Sequence, residues 1–160
     1  MKPITLTKPN LLLVDDDKDD CIFFKEALES LPVSASLITV NNSEQLMQLL
    51  SEKIVKPAPN SLLFLDLNMP KKNGFEILSE LKLDNHLKNL PVIIFSTYFE
   101  EDEVNLLYKN GAQYYIRKPT EFSQLKKVIY QALLLATGDN MVQPPKEHFV
   151  IKGDMETVQL

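Results

Sequence analysis

Five side chains of the sequence are of the types that bind and transfer a phosphate group, and each stands at the end of a short apolar run. Asp15 and Asp16 end the first run, and Asp66 ends a later one. Ser96 and Lys118 end two further runs. Carboxylates that converge repel one another by about 4 kcal/mol for a pair about 4 Å apart at an effective dielectric of about 20. Such a cluster therefore takes up a proton or binds a cation.

A divalent cation with oxygen ligands relieves this repulsion, and Mg²⁺ suits a site that a phosphate completes. Lys118 would add a second positive charge opposite the metal, and the hydroxyl would donate a hydrogen bond. A dianion held between these groups is a phosphoryl group. The residue types therefore predict that Asp66 is a nucleophile that forms an aspartyl phosphate. Because Thr97 follows Ser96, the sequence leaves open which of the two hydroxyls faces the site.

These side chains need a fold that brings the ends of distant runs together. Short apolar runs alternate with amphipathic stretches, which is typical of parallel strands joined by helices. The predicted strands are residues 11–14, 36–40, 62–65, 92–95 and 113–116. Predicted helices follow them, starting near residues 19, 43, 75, 100 and 120. In an open parallel sheet, ligands bind beyond the carboxyl ends of the strands, where all the candidate residues stand.

Composition excludes several classes of protein. Seventeen basic and 22 acidic residues give a net charge of −5, which argues against sequence-independent binding to nucleic acid or to an anionic membrane. No apolar run approaches the roughly 20 residues of a membrane span. The single cysteine cannot form an internal disulfide, which favours a cytoplasmic setting. The four glycines do not form a dinucleotide-binding or P-loop motif.

Several segments resemble, in order and separation, the response-regulator receiver domain of two-component signalling. They read LLLVDDDKDD, LLFLDLNMPKKNGFEIL, PVIIFST and NGAQYYIRKP. The resemblance implies a flavodoxin-like, doubly wound α/β fold, with five parallel strands in the order 2-1-3-4-5 and helices on both faces. It also implies that a sensor histidine kinase or a phosphotransfer protein supplies the phosphoryl group.

The resemblance covers about residues 10–136, which we expect to form the receiver domain. Residues 1–9 are then an N-terminal extension, and residues 137–160 are a C-terminal tail with turn-forming residues and no hydrophobic period. So short a tail is far below the size of an independent fold. The expectation is a stand-alone receiver without an output domain.

The resemblance also implies roles for the residues around the nucleophile. Asp66 would be the phosphoacceptor and a metal ligand. Asp15 and Asp16 would bind Mg²⁺, the second of them directly. Asn68, two residues beyond the nucleophile, would contribute its backbone carbonyl to the metal.

Other implied roles concern the phosphoryl oxygens and the switch. Ser96 would donate its hydroxyl to one oxygen, and Lys118 would pair with another. Tyr115 matches the switch aromatic, which turns inward when the hydroxyl residue moves. The Lys118–Pro119 bond is a candidate cis peptide bond, as is frequent in the family. The family's switch surface implies a downstream protein that binds a face made by the fourth helix, the fifth strand and the last helix.

A phosphatase or phosphomutase with an aspartate nucleophile is one alternative. Such enzymes place a second acid two residues after the first. Here Asn68 stands two residues after Asp66, which weakens general acid–base chemistry.

A calcium-binding loop is the other alternative. Five residues match positions one, three, five, eight and twelve of an EF-hand: Asp15, Asp17, Asp19, Ile22 and Glu26. Position six, however, is Asp20, where the sharp turn of that loop requires glycine. The receiver interpretation leaves Asp17 without a role.

Overall fold

A computed structural model describes residues 9–52, 61–136 and 142–153. The strands are β1 (Asn10–Val14), β2 (Ser36–Val40), β3 (Ser61–Leu65), β4 (Val92–Ser96), β5 (Tyr114–Arg117) and β6 (Val150–Ile151). The helices are α1 (Lys18–Glu29), α2 (Ser43–Glu52), α3 (Gly74–Leu83), α4 (Glu101–Lys109) and α5 (Phe122–Ala136). Within the described ranges, no helix has the length and apolarity needed to cross a membrane. Most of the predicted extension and parts of the predicted tail, 137–141 and 154–160, lie outside the described residues.

The strands form one parallel sheet in the order β2-β1-β3-β4-β5-β6. The predicted order 2-1-3-4-5 and the doubly wound α/β class are confirmed, and the sheet has one strand more than predicted. Val14 lies opposite both Val40 and Leu65 in the ladder. Because β1 and β3 end in register, the residues that follow them emerge side by side at the same edge.

The central strands are buried on both faces, as their continuous apolar runs predict. In β3, Leu63 and Leu65 pack into a core with residues of α2, α3 and α4. Leu62 and Phe64 pack on the opposite face with residues of α1 and α5. Each such side chain stabilises the fold by about 1.5–3 kcal/mol. This packing makes the sheet a rigid support for the loops at its carboxyl edge.

Local interactions fix the starts of α1 and α3, the helices that follow the candidate carboxylates. Asp17 is the N-cap of α1, and its side chain accepts hydrogen bonds from the backbone N–H groups of Asp19 and Asp20. The role that the sequence left open for Asp17 is therefore structural. At the start of α3, a Cβ on Gly74 would lie 2.6 Å from the backbone carbonyl of Asp66. Only glycine fits this close approach to the candidate nucleophile.

The C-terminal segment, residues 142–153, packs on the edge of the sheet beside β5. The backbone N–H of Tyr115 donates to the Phe149 carbonyl at 3.0 Å, and Tyr115 pairs with Val150 in the ladder. Phe149 is only 1% exposed, and its ring centroid lies 5.1 Å from that of Tyr108 in α4. The sequence placed this segment in a tail. Its strand supplies hydrogen-bond partners that the edge of β5 would otherwise lack.

Candidate functional site

The register of the sheet brings the predicted carboxylates together. The Asp66 N–H donates to the Val14 carbonyl at 2.9 Å, and the Asp15 N–H donates to the Val40 carbonyl at 3.1 Å. Asp15 and Asp66 are buried, whereas Asp16 is exposed. One carboxylate oxygen from each of Asp15, Asp16 and Asp66 lies within 4.8 Å of the other two. The predicted cluster therefore exists in the structure.

Backbone N–H groups orient two of these carboxylates. Oδ1 of Asp15 accepts a hydrogen bond from the Asp17 N–H at 2.9 Å. Oδ1 of Asp66 accepts one from the Asn68 N–H at 3.4 Å. The Asn68 side chain itself is exposed, which is consistent with a contribution through the backbone alone.

Lys118 reaches the cluster from the loop that follows β5. Its Nζ lies 2.7 Å from Oδ2 of Asp15, 2.9 Å from Oδ2 of Asp20 and 3.7 Å from Oδ1 of Asp66. Its backbone N–H donates to the Ser96 carbonyl at 2.8 Å, which ties this loop to the end of β4. The structure thus places the predicted ammonium beside the predicted carboxylates, and it adds Asp20 as a partner.

Burial and the ammonium have opposite effects on the acids. Burial raises the pKa of Asp15, although Lys118 partly offsets this effect. Burial also raises the pKa of Asp66 to about 6, again against the influence of Lys118. For Lys118, burial alone would lower the pKa, but its hydrogen bonds to Asp15 and Asp20 outweigh that effect and raise the pKa. Burial thus disfavours the charged forms of Asp15 and Asp66, and a further cation would favour them.

The donor set fits a divalent metal. Three carboxylates within one small volume supply oxygen ligands, which hard cations such as Mg²⁺ and Mn²⁺ prefer. A bound cation would also favour the charged forms of Asp15 and Asp66, whose pKa values burial raises. The residues present thus satisfy the chemical requirement that the sequence suggested.

The two neighbouring hydroxyls have different environments. Ser96 is buried at the end of β4, whereas Thr97 is exposed. Oγ of Ser96 accepts a hydrogen bond from the Tyr98 N–H at 3.2 Å. This difference favours Ser96 as the hydroxyl that acts at the site. We call Asp15, Asp16, Asp66, Ser96 and Lys118 the acidic rim.

Tyr115 connects the region of Ser96 to the C-terminal segment. Its side chain is buried, and burial raises its pKa to about 12. Its hydroxyl donates a hydrogen bond to the Tyr98 carbonyl. The Tyr115 ring lies between Phe99 and Phe149, with centroid distances of 5.8 and 6.5 Å. A movement of the loop after Ser96 would therefore change the surroundings of this ring.

The structure contradicts one expectation from the sequence and one of the disfavoured alternatives. Among the described residues no peptide bond is cis, so the bond before Pro119 is trans. Trans is the more stable isomer of X–Pro bonds by about 0.5–1 kcal/mol. The calcium-loop alternative also fails, because the chain is helical from Lys18 in α1 onward. Ile22 and Glu26 therefore lie on a helix instead of in an ion-binding loop.

Comparison with known proteins supports the class of protein that the fold and the site indicate. A family model described as a response regulator receiver domain matches residues 11–130. The chain is 34% identical over 122 residues to the response regulator Rcp1 of Synechocystis sp., covering 74% of this chain and 82% of that protein. The chain therefore belongs to the response-regulator receiver family, and its role is in two-component signalling.

Two solved structures are similar over most of the chain. The Mn²⁺-bound form of Rcp1 is 31% identical with a TM-score of 0.69, and the match covers 86% of this chain and 99% of that one. The phosphorylated cyanobacterial phytochrome response regulator RcpA is 34% identical with a TM-score of 0.71, covering 82% and 97%. The phosphatase alternative has no support from these relatives.

Sequence reasoning misses the part of Asp20 at this site. In the sequence Asp20 stands out only as a mismatch to a calcium loop, yet in the structure it pairs with Lys118. Its position three residues after the N-cap Asp17 was a usable signal, because it places Asp20 in the first turn of α1. The sequence places Phe149 in the tail, and the apolar run Phe149-Val150-Ile151 indicates that this part of the tail can pack against the domain; in the structure Phe149 and Ile151 are buried.

Proposed function

We propose that the protein accepts a phosphoryl group on Asp66 from a phosphohistidine of a sensor histidine kinase or of a phosphotransfer protein. One observation carries the proposal: Asp15, Asp16, Asp66 and Lys118 converge at one edge of the sheet. Receiver domains receive phosphoryl groups from such donors. The function is signalling, and the only chemistry we propose is the protein's own phosphorylation and dephosphorylation.

Each residue of the acidic rim has a proposed part in the transfer. A carboxylate oxygen of Asp66 attacks the phosphorus in line with the bond to the donor nitrogen, which leaves with the electron pair of that bond. Lys118 pairs with a charged oxygen of the phosphoryl group, since its ammonium already lies 3.7 Å from Asp66. Ser96 donates its hydroxyl to another oxygen. These groups stabilise charge that moves during the transfer.

Mg²⁺ is the cation that we propose for the cluster. Asp15, Asp16 and Asp66 would hold it through carboxylate oxygens, and Asn68 through its backbone carbonyl. Mg²⁺ keeps several waters and commonly shares its site with phosphate. Its charge would offset the negative charge of the acids and of the incoming group. The Mn²⁺-bound form of the similar protein Rcp1 supports the binding of a divalent cation.

We also propose that phosphorylation changes the surface near Tyr115 and so controls binding of a downstream protein. The face in question is formed by α4, β5 and α5. The C-terminal segment covers the edge of β5, so residues of this segment belong to the surface that a partner meets. Neither nucleic acid nor a membrane is a proposed partner, and the proposed location is the cytoplasm.

For the domain organisation, we propose a receiver in residues 10–136 and a tail in residues 137–160, of which the described residues 142–153 pack against the receiver. The hydrogen bonds from Gln143 Nε2 to the Tyr108 and Ala112 carbonyls, both 2.7 Å, support this packing.

The proposal is tested with acetyl phosphate and Mg²⁺, followed by intact mass spectrometry. The wild type is expected to gain one phosphate, and Asp66→Asn none. Asp19→Asn is the matched control, because Asp19 is an exposed acid of the same region, and it should gain one phosphate as well. Uptake of phosphate by Asp66→Asn would contradict the assignment of the nucleophile.

A further inference from the structure

The Lys118 ammonium lies closer to two other acids than to the proposed phosphoacceptor. Its Nζ is 2.7 Å from Asp15 and 2.9 Å from Asp20, which are hydrogen-bond distances. The distance to Asp66 is 3.7 Å, which is an ion pair without a hydrogen bond. In the structure, the hydrogen bonds of the Lys118 ammonium therefore go to Asp15 and Asp20 and not to Asp66.

We propose that Asp20 is a positioning residue that holds the Lys118 ammonium away from Asp66 until the phosphoryl group arrives. This inference rests on the proposed function and deepens it. Asp15 and Asp20 accept hydrogen bonds from two of the three N–H donors of the ammonium. On phosphorylation, the ammonium moves toward the group on Asp66 and gives up its hydrogen bond to Asp20.

The fold fixes Asp20 in place for this task. Asp17 caps α1 and accepts a hydrogen bond from the Asp20 N–H at 3.2 Å. This cap sets the first turn of the helix, and the turn directs the Asp20 side chain toward the loop after β5, where it meets Lys118. The capping residue therefore also determines where the Asp20 carboxylate lies.

Burial shows which of the two partners Lys118 can release. The Asp15 side chain is fully buried, whereas that of Asp20 is 36% exposed. Water can solvate the Asp20 carboxylate after it loses the ammonium, so its release costs little. The loss of the ammonium from Asp15 would leave a buried charge without its partner, which costs far more. Asp20 is thus the partner that Lys118 exchanges for the phosphoryl group.

A purely structural role is the competing explanation, in which the pair only fixes α1 to the loop after β5. Three variants separate the two roles. Asp20→Asn removes the carboxylate charge, and Asp20→Glu retains it. Asp19→Asn removes the same charge from an exposed position of the same helical turn, where it does not meet Lys118 in the described ion pairs.

The first measurement is the rate of phosphate uptake as a function of acetyl phosphate concentration, with Mg²⁺ present. Asp20→Asn and Asp19→Asn should lower the half-saturating concentration alike, because both remove one negative charge that repels the anionic donor. Only Asp20→Asn should raise the maximal rate, by about fivefold, which corresponds to about 1 kcal/mol in activation free energy. Asp20→Glu should restore a rate close to that of the wild type.

The second measurement needs neither metal nor phosphodonor. The ¹⁵N resonance of the Lys118 ammonium is recorded by NMR, and we expect it to shift in Asp20→Asn but not in Asp19→Asn. An unshifted resonance in Asp20→Asn, or a maximal rate that is equal to or below that of the wild type, would overturn the proposal. If the wild type takes up no phosphate, the proposed function fails, and the Lys118 resonance still decides whether Asp20 holds the ammonium.

Discussion

The acidic rim and the C-terminal segment are built in opposite ways. In the rim, buried carboxylates lie within 4.8 Å of one another, and burial raises the pKa of Asp66 to about 6. In the C-terminal segment, the buried ring of Phe149 packs on Tyr108 and Tyr115. The rim stores unfavourable electrostatic energy that a cation or a phosphoryl group can relieve, whereas the segment stabilises the fold by burying apolar surface.

Tyr115 lies between the two regions in its contacts, because it interacts with the loop that follows Ser96 and with the C-terminal segment. Its hydroxyl bonds to the loop that follows Ser96, and its ring contacts Phe149. A change at the rim therefore has a short path to the segment that covers β5. The strong packing of the segment sets how much free energy such a change must supply to alter this surface.

The largest expected effect is on stability, and it comes from the apolar packing of the C-terminal segment. Phe149→Ala should lower the free energy of unfolding by about 3–5 kcal/mol, because it removes a fully buried ring and leaves a cavity. Urea denaturation measures the change. Val142→Ala is the matched control in the same segment, and since Val142 is 77% exposed it should have little effect. A loss for Phe149→Ala as small as that of the control would mean that the segment adds no stability.

The second prediction concerns the acidic rim: it is the pH dependence of the free energy of unfolding in the metal-free protein. The pKa of Asp66 is raised in the folded state, so its contribution to stability is full below pH 4 and is lost as the pH rises through 6. Asp66→Asn avoids this loss. The variant should match the wild type at pH 4 and exceed its free energy of unfolding by about 2–3 kcal/mol at pH 7.5.

Urea denaturation in the presence of a chelator, at several pH values, checks this second prediction. Asp19→Asn, with its exposed side chain, should show no such dependence on pH. A difference between Asp66→Asn and the wild type that stays constant from pH 4 to pH 7.5 would show that the buried carboxyl carries no electrostatic penalty.

A smaller effect on stability is expected from one hydrogen bond that attaches the C-terminal segment to α4. The Tyr108 hydroxyl donates a hydrogen bond to the Pro144 carbonyl at 2.6 Å. Tyr108→Phe should therefore cost about 1 kcal/mol in the free energy of unfolding. Tyr98→Phe, at a largely exposed position, serves as the control in the same denaturation assay. Equal changes in the free energy of unfolding for the two substitutions would show that the hydrogen bond to Pro144 does not stabilise the fold.

The sequence predicts the positions of the rim residues because each of them stands at or just after the carboxyl end of a strand. Once the alternation of strands and helices indicates a parallel sheet, the positions of Asp15, Asp66 and Lys118 follow from the shared edge. The resemblance to a known family supplied the strand order and the individual roles. The register of the strands therefore accounts for most of the residues that meet at the site, and the structure adds the distances between their side chains.

The remaining features depend on contacts that no local pattern encodes. Asp20 meets Lys118 across 98 residues of chain, and its part depends on the direction of one helical turn. The pairing of Val150 with Tyr115 depends on an edge strand that is free to accept a partner. The isomer of the Lys118–Pro119 bond is set by a small energy difference, which a motif does not determine.

The central claim is that Asp66 is the residue that carries the phosphoryl group. The most direct test is reduction of the phosphorylated wild type with borohydride, which converts an aspartyl phosphate to homoserine, followed by peptide mapping. We predict homoserine at position 66 and at no other aspartate. Modification at Asp15, at Asp16 or at a residue outside the rim, with Asp66 unchanged, would contradict the account.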